Sequence, residues 1–121
     1  MIFVTADRCR AQLEAFTQLL VSAFPGSTIY QHTDLCRVPH DVLNNNVDAV
    51  FLVAEMDKTN GLDFVQMLHR QKSNLPVFII SKTEDLREKA AEAGANDYFV
   101  QPITEQQLRD AIQSVKKENI S

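Results

Sequence analysis

The hydrophobic pattern of the chain centres on a wholly apolar run at Ala49–Val53, which an acidic loop follows. The run contains no polar position, whereas a strand with one solvent-facing side alternates apolar and polar residues. A short apolar run bounded by polar turn residues is typical of a strand buried on both faces of a parallel sheet. Open α/β folds place their sites beyond the carboxyl ends of such strands, so we expect any chemistry close to Val53.

Four further apolar segments are predicted as strands, and segments with helical periodicity separate them. The predicted strands are residues 2–4, 28–30, 49–53, 76–80 and 98–100, and the predicted helices are 8–23, 39–44, 61–71, 84–93 and 104–115. We expect residues 33–38 to be irregular and the polar tail 116–121 to fray. This alternation implies right-handed βαβ crossovers and an α/β fold, most economically a doubly wound five-stranded parallel sheet of order 2-1-3-4-5.

Length and composition describe an ordinary globular chain. The 121 residues fit one domain, 1–121, with 45% apolar and 23% charged residues. The net charge of -4, without a basic block, argues against a nucleic-acid or anionic-membrane surface. No apolar run approaches a membrane span and no signal peptide is recognisable, so we expect a cytoplasmic protein. Cys9 and Cys36 form no CxxC motif and are expected to be reduced thiols.

The residues that could take part in binding or catalysis lie where the predicted strands end. The cluster at this edge is expected to comprise Thr5, Ala6, Asp7, Val53, Glu55, Asp57, Ser81 and Gln101. His32, His40 and His69 lack metal-ligand spacing and are expected on the surface, and no nucleophile set of Ser/His/Asp or Cys/His type can be argued. The first strand is followed by no glycine-rich loop, which weakens a nucleotide or flavin site. We therefore expect no catalytic residue, no metal and no cofactor.

Three segments give the chain a family resemblance. They are residues 56–61 (MDKTNG), 76–81 (PVFIIS) and 92–102 (EAGANDYFVQP). The last segment is the most specific, and together they resemble a response-regulator receiver domain, a CheY-like protein with a flavodoxin-like fold. The spacing from Ser81 to Gly94 is most similar to receivers of LytTR-class regulators. The resemblance covers nearly the whole chain.

The resemblance implies a phosphorylation site whose parts are largely missing here. The family's acidic pair falls on Thr5 and Ala6, with Asp7 following, and its phosphoacceptor aspartate falls on Val53, eight positions before Gly61. The family's lysine falls on Gln101. These losses are consistent with one another, because a buried lysine without carboxylate partners would cost roughly several kcal/mol. The sequence is therefore identified as a degenerate pseudo-receiver.

Two family features are kept, Ser81 at the hydroxyl position and Tyr98 at the aromatic position. We expect Ser81 to cap the turn that follows it and Tyr98 to be half-buried and static. Pro102 is predicted to follow a cis peptide bond.

Three hypotheses follow for the function. The first is a non-enzymatic signalling module that acts by protein–protein interaction, in two-component signal transduction. The second is a phosphorelay receiver whose acceptor has moved to Asp57, Asp7 or Ser81, although we favour a solvated loop for Asp57. The third is a binder of a small ligand at the carboxyl edge of the sheet.

The resemblance also implies which surface binds a partner. Receivers often use the fourth helix, fifth strand and fifth helix, and here that surface carries Arg87, Tyr98 and Arg109 among residues of mixed charge. The expected partner is a histidine kinase, an output domain, another regulator or a second copy of the chain.

Overall fold

The computed structural model describes residues 1–54, 61–72 and 74–120, with side chains described for 1–54, 62–72 and 74–115. The strands are β1 (Ile2–Ala6), β2 (Thr28–His32), β3 (Ala49–Val53), β4 (Val77–Ser81) and β5 (Asp97–Val100). The helices are α1 (Arg10–Ala23), α2 (Val38–Asn44), α3 (Gly61–Gln71), α4 (Arg87–Ala93) and α5 (Glu105–Ile120), with a short 3₁₀ helix at Leu35–Arg37.

The five strands form one parallel sheet of order β2-β1-β3-β4-β5. In the centre of the sheet β3 pairs with β1 on one side and β4 on the other, with Val50 opposite Val4 and Val77. Helices cover both faces, as the apolar run of β3 requires. The predicted fold class and strand order are confirmed.

Two apolar layers lie on either side of the sheet. The layer under α2, α3 and α4 is mainly aliphatic, with Val4, Leu52 and Ile79 among its fully buried members. The layer under α1 and α5 is aromatic, and the ring of Phe51 lies 5.1 Å from that of Phe78 and 5.2 Å from that of Phe16. Alternate residues of each central strand therefore supply opposite layers.

Several predicted boundaries are wrong by a few residues. β1 continues through Ala6, because Thr5 and Ala6 pair with β2 and β3, and α1 therefore begins only at Arg10. Residues 84–86 form a turn before α4, β4 begins at Val77, and a 3₁₀ helix occupies part of the predicted irregular segment. The helix α5 continues to Ile120, five residues beyond the predicted end at 115, and fraying of the tail remains a prediction.

The predicted cis peptide bond between Gln101 and Pro102 is confirmed. Gly94 ends α4 in the left-handed region with φ 101°. At the start of α5 the side chain of Gln107 accepts the N–H of Thr104 at 2.8 Å, and the Thr104 hydroxyl accepts the N–H of Gln107 at 3.2 Å. This reciprocal pair is a capping box. No helix in the described ranges is both long enough and apolar enough to cross a membrane.

Candidate functional site

A cavity of about 320 Å³ lies at the carboxyl edge of the sheet, where β1, β3, β4 and β5 end. Its lining residues are Asp7, Arg8, Cys9, Gln12, Val53, Lys82 and Gln101. The structure thus brings together three of the predicted site residues. Thr5 and Ala6 do not line the cavity, because both are buried within β1, and Ser81 is buried directly before Lys82. Glu55 and Asp57 lie outside the described residues.

Val53 places an aliphatic side chain at the carboxyl end of β3. It is partly buried and packs against the aromatic layer under α1 and α5. Its backbone pairs with Ile80 of β4, as the other β3 residues pair along the ladder. An isopropyl group has neither a nucleophilic oxygen nor a lone pair for a cation, so this position can neither accept a phosphoryl group nor bind a metal.

Asp7 is the acidic residue of the described cavity wall, and it is only 4% exposed. Its Oδ1 accepts the backbone N–H of Cys9 at 2.9 Å, one residue before the first turn of α1. Cys9 is the N-cap residue of α1, and the Asp7 carboxylate supplies an acceptor to an N–H at this helix start. No group of three or more potential metal ligands occurs in the described part of the chain.

Ser81 and Gln101 connect the cavity to the loop after β4. The Ser81 Oγ accepts the N–H of Thr83 at 3.2 Å, as predicted for a hydroxyl that caps a turn. The Gln101 N–H donates to the carbonyl of Ser81 at 2.9 Å, which holds the ends of β4 and β5 together. At 1% exposure the Ser81 side chain is closed to solvent.

The cavity wall also carries two basic residues that were not predicted as part of the site. Arg8 and Lys82 are both exposed and line the cavity. Each directly follows a predicted site residue, Asp7 and Ser81 respectively, which is the signal that could have identified them. Their positive charges give this edge of the sheet two basic groups, which follow β1 and β4 on either side of β3.

Tyr98 is more deeply buried than predicted, with 5% of its surface exposed. Its hydroxyl donates to the carbonyl of Thr83 at 2.5 Å. Thr83 therefore bonds to Ser81 through its N–H and to Tyr98 through its carbonyl. These two bonds link the cavity edge to the outer surface of β5 through one residue of the loop before α4.

Arg87 covers the ring of Tyr98 at the start of α4. Its guanidinium carbon lies 5.0 Å from the ring centroid, and Nη1 donates to the Tyr98 carbonyl at 3.4 Å. Nε and Nη2 donate to the carboxylate of Glu84 at 2.6 and 3.1 Å. This hydrogen-bonded pair raises the pKa of Arg87 and lowers the pKa of Glu84. Both groups remain charged, and the arginine is held between an acid and an aromatic face.

Arg109 lies on α5 and is fixed within its own helix. Its Nη1 donates to Glu105 at 3.3 Å, one turn earlier. Glu105 also accepts the hydroxyl of Ser22 from α1, and this hydrogen bond is the main cause that lowers the pKa of Glu105. Arg87, Tyr98 and Arg109 thus lie on the three elements predicted to form the interaction surface.

The predicted surface position holds for only one of the three histidines. His40 is exposed, but His32 and His69 are partly buried. The Nε2 of His32 bonds to the carboxylate of Asp41, and the Nε2 of His69 bonds to the carbonyl of Leu75 at 2.9 Å. His32 therefore joins β2 to α2, and His69 joins α3 to the segment before β4. Cys9 and Cys36 are free and exposed.

Comparison with known proteins identifies the architecture. Residues 3–113 match the family described as "Response regulator receiver domain". The chain is 27% identical over 107 residues to "Response regulator MprA" of Mycobacterium sp. strain KMS, which covers 87% of this chain and 46% of that protein. The chain thus spans about half the length of that relative. It is also 28% identical over 95 residues to "Chemotaxis protein CheY homolog" of Campylobacter jejuni, covering 69% of this chain and 73% of that protein.

Solved structures agree with this result. A response regulator receiver domain protein from Clostridium thermocellum superposes with a TM-score of 0.85 at 22% identity, covering 99% of this chain and 98% of that one. A CheY-like receiver protein from Methanospirillum hungatei superposes with a TM-score of 0.82 at 15% identity, with 97% of each chain covered. At these identities the likeness shows the fold. Together with the family match over residues 3–113, it shows that the chain belongs to the response regulator receiver domain family of two-component signalling.

Proposed function

We propose that this receiver is not phosphorylated at the position where its family carries the acceptor, and that it acts by binding another protein without catalysing a reaction. The observation that carries the proposal is Val53 at the end of β3, packed against the apolar layer. A strand-end valine removes the nucleophile on which phosphoryl transfer to a receiver depends.

The surroundings of Val53 support the same proposal. A phosphoryl group beside carboxylates needs a hard cation and a basic group to offset its charge. Here Thr5 and Ala6 are buried in β1, and Gln101 is neutral at the cavity edge. Among the described residues of the cavity wall, Asp7 alone carries a carboxylate, so neither the usual acceptor nor a full acidic set for a cation is present among them.

A relocated acceptor is less well supported. Asp7 and Ser81 are 4% and 1% exposed, and each accepts a backbone N–H that shapes the following turn. A group that must attack a phosphodonor has to be accessible to it, and both side chains are almost fully buried. Asp57 lies outside the described residues, and the experiment below tests it directly.

The surface formed by α4, β5 and α5 is the proposed binding site. Tyr98 is already held inward by its bond to Thr83, and Arg87 is held over its ring. Exposed Asp97 and Asp110 accompany the two arginines, so the surface carries both signs of charge. Such a surface suits a polar, orientation-specific contact with a histidine kinase, an output domain, another regulator or a second copy. The spacing likeness to LytTR-class regulators remains a prediction.

Intact-mass spectrometry after incubation with acetyl phosphate and Mg²⁺ tests the proposal. We expect no added mass on the wild-type protein, while a receiver with the full acidic site, treated in parallel, gains one phosphate. Stable, acid-labile addition of one phosphate to the wild-type chain would contradict the proposal. Asp57→Asn, Asp7→Asn and Ser81→Ala would then identify the acceptor, since labelling disappears only in the variant that lacks it.

A further inference from the structure

The strand β2 forms one edge of the sheet, and the register shows which of its backbone groups face outward. Thr28 donates its N–H to the carbonyl of Met1 at 2.8 Å, and the carbonyl of His32 accepts the N–H of Asp7 at 3.1 Å. In a parallel ladder the same alternate residues direct both backbone groups to one neighbour. Thr28, Tyr30 and His32 therefore face β1.

The two residues between them face the open edge. The N–H and C=O groups of Ile29 and Gln31 point away from β1, and in the described part of the chain they have no hydrogen-bond partner. Gln31 is exposed and Ile29 is partly buried. Unpaired edge groups of this kind are a template for pairing with another strand.

An open groove of about 600 Å³ runs along this edge. Its lining residues are Arg10, Leu13, Glu14, Ile29, Tyr30, Gln31, His32, Thr33, Asp34 and Arg37. Two arginines and two carboxylates balance one another, and the N–H of Cys36 lowers the pKa of Asp34, which keeps its negative charge. A balanced groove does not select a strongly charged peptide, and two identical copies meet there without net repulsion.

We propose that two copies of this chain pair through their β2 edges in an antiparallel arrangement, with a twofold axis at Tyr30. This register places Ile29 opposite Gln31 of the second copy, and Gln31 opposite Ile29 of the second copy. Directly opposed residues of an antiparallel pair can exchange both backbone hydrogen bonds, so all four outward groups of each copy are satisfied. A shift of register by two residues leaves one of the two outward-facing residues in each copy unpaired. The symmetric register is thus self-complementary, as a twofold interface requires.

The proposed dimer is independent of the proposed partner surface. β2 and β5 are opposite edges of the sheet. A dimer formed through β2 therefore leaves the surface of α4, β5 and α5 uncovered, and it places two such surfaces at the far ends of one continuous sheet. Substitutions at one edge should not change binding at the other, so the two proposals can fail separately.

The test compares Gln31→Pro with Gln31→Ala by analytical ultracentrifugation from micromolar to near-millimolar concentration. A reducing agent prevents disulfides at Cys9 or Cys36 from imitating a dimer. Proline removes an N–H that faces the free edge and breaks no bond of the monomer, which is the position where strands tolerate it. We expect a reversible wild-type dimer, a Gln31→Pro dimer weakened at least tenfold, and a Gln31→Ala dimer close to wild type. A monomeric wild-type chain, or a dimer unaffected by Gln31→Pro, would overturn the proposal.

Amide hydrogen exchange on the wild-type chain provides a second measurement that requires no variant. We expect the amides of Ile29 and Gln31 to become protected as concentration rises, while the amide of Tyr98 at the opposite edge, which donates to the Asp97 carboxylate, stays unchanged. Unchanged exchange at Ile29 and Gln31 across a concentration range that forms dimers would place the interface elsewhere and refute the β2 pairing.

Discussion

Tyr98→Phe tests whether the link between the cavity edge and β5 fixes the partner surface. The substitution keeps the buried ring and removes only the hydroxyl, which donates to the Thr83 carbonyl at 2.5 Å. A hydrogen bond of this kind contributes about 0.5–1.5 kcal/mol to stability. Thr83 is exposed, so water can partly replace the lost donor, and we expect a destabilisation of about 0.5–1 kcal/mol.

The contact between Arg87 and the Tyr98 ring should contribute a coupling energy that can be measured separately. A double-mutant cycle of Tyr98→Leu and Arg87→Ala should give a coupling energy of about 0.5–1 kcal/mol, the value for a cation over an aromatic ring at an accessible site. The surface ion pair with Glu84 contributes little in comparison and cancels in the cycle.

Urea unfolding followed by far-UV circular dichroism is the assay, because the chain contains no tryptophan. Tyr30→Phe is the matched control, since it removes a longer hydrogen bond, 3.2 Å to Asn45, at the other edge of the sheet. A Tyr98→Phe protein as stable as the wild type, together with a coupling energy near zero, would refute the idea that Thr83 and Arg87 hold Tyr98 in place.

Three further predictions concern the scaffold, each read from urea midpoints. Phe51→Ala should cost about 3–5 kcal/mol, because its ring is fully buried among three other rings; an unchanged midpoint would contradict this packing. Gly94→Ala should cost about 1–2 kcal/mol, because Gly94 has a left-handed backbone. It should cost more than Gly26→Ala, because of these two glycines only Gly94 would place the new Cβ near a side chain, 3.3 Å from His69 Nδ1. Equal costs for the two substitutions would argue against that crowding. The pKa of Glu84 is lowered in the folded protein, so its contribution to stability is present above the ordinary pKa of 4.5 and is lost as pH falls through the folded pKa. The Glu84→Gln protein should therefore lose less stability on acidification than the wild type.

The sheet could be predicted from the sequence because the hydrophobic pattern and the rules of strand topology indicate the same fold. The apolar run at Ala49–Val53 required cover on both faces, and five alternations of strand and helix left few topologies. The placement of Val53 and Gln101 at one cavity followed from the shared carboxyl edge of parallel strands. These predictions rest on backbone geometry, which local pattern largely determines.

The side-chain links could not be predicted, because they depend on rotamers and on the approach of distant elements. The stacking of Arg87 on Tyr98 joins residues from a helix and a strand, and no spacing rule indicates it. The extension of β1 through Ala6 is a tertiary effect, since pairing with His32 and Leu52 overrides the weak strand preference of alanine. The burial of His32 and His69 likewise depends on neighbouring elements.

The central claim is that this receiver has one state at the Val53 edge, whatever phosphoryl chemistry is offered. Amide NMR spectra recorded with and without Mg²⁺ and beryllofluoride, a phosphoryl mimic, test it most directly. We predict superimposable spectra, including the amides of Val53, Thr83 and Tyr98. Shifts that spread from the end of β3 through Thr83 to Tyr98 would contradict the account, because they would show that the site still binds the mimic and switches the surface.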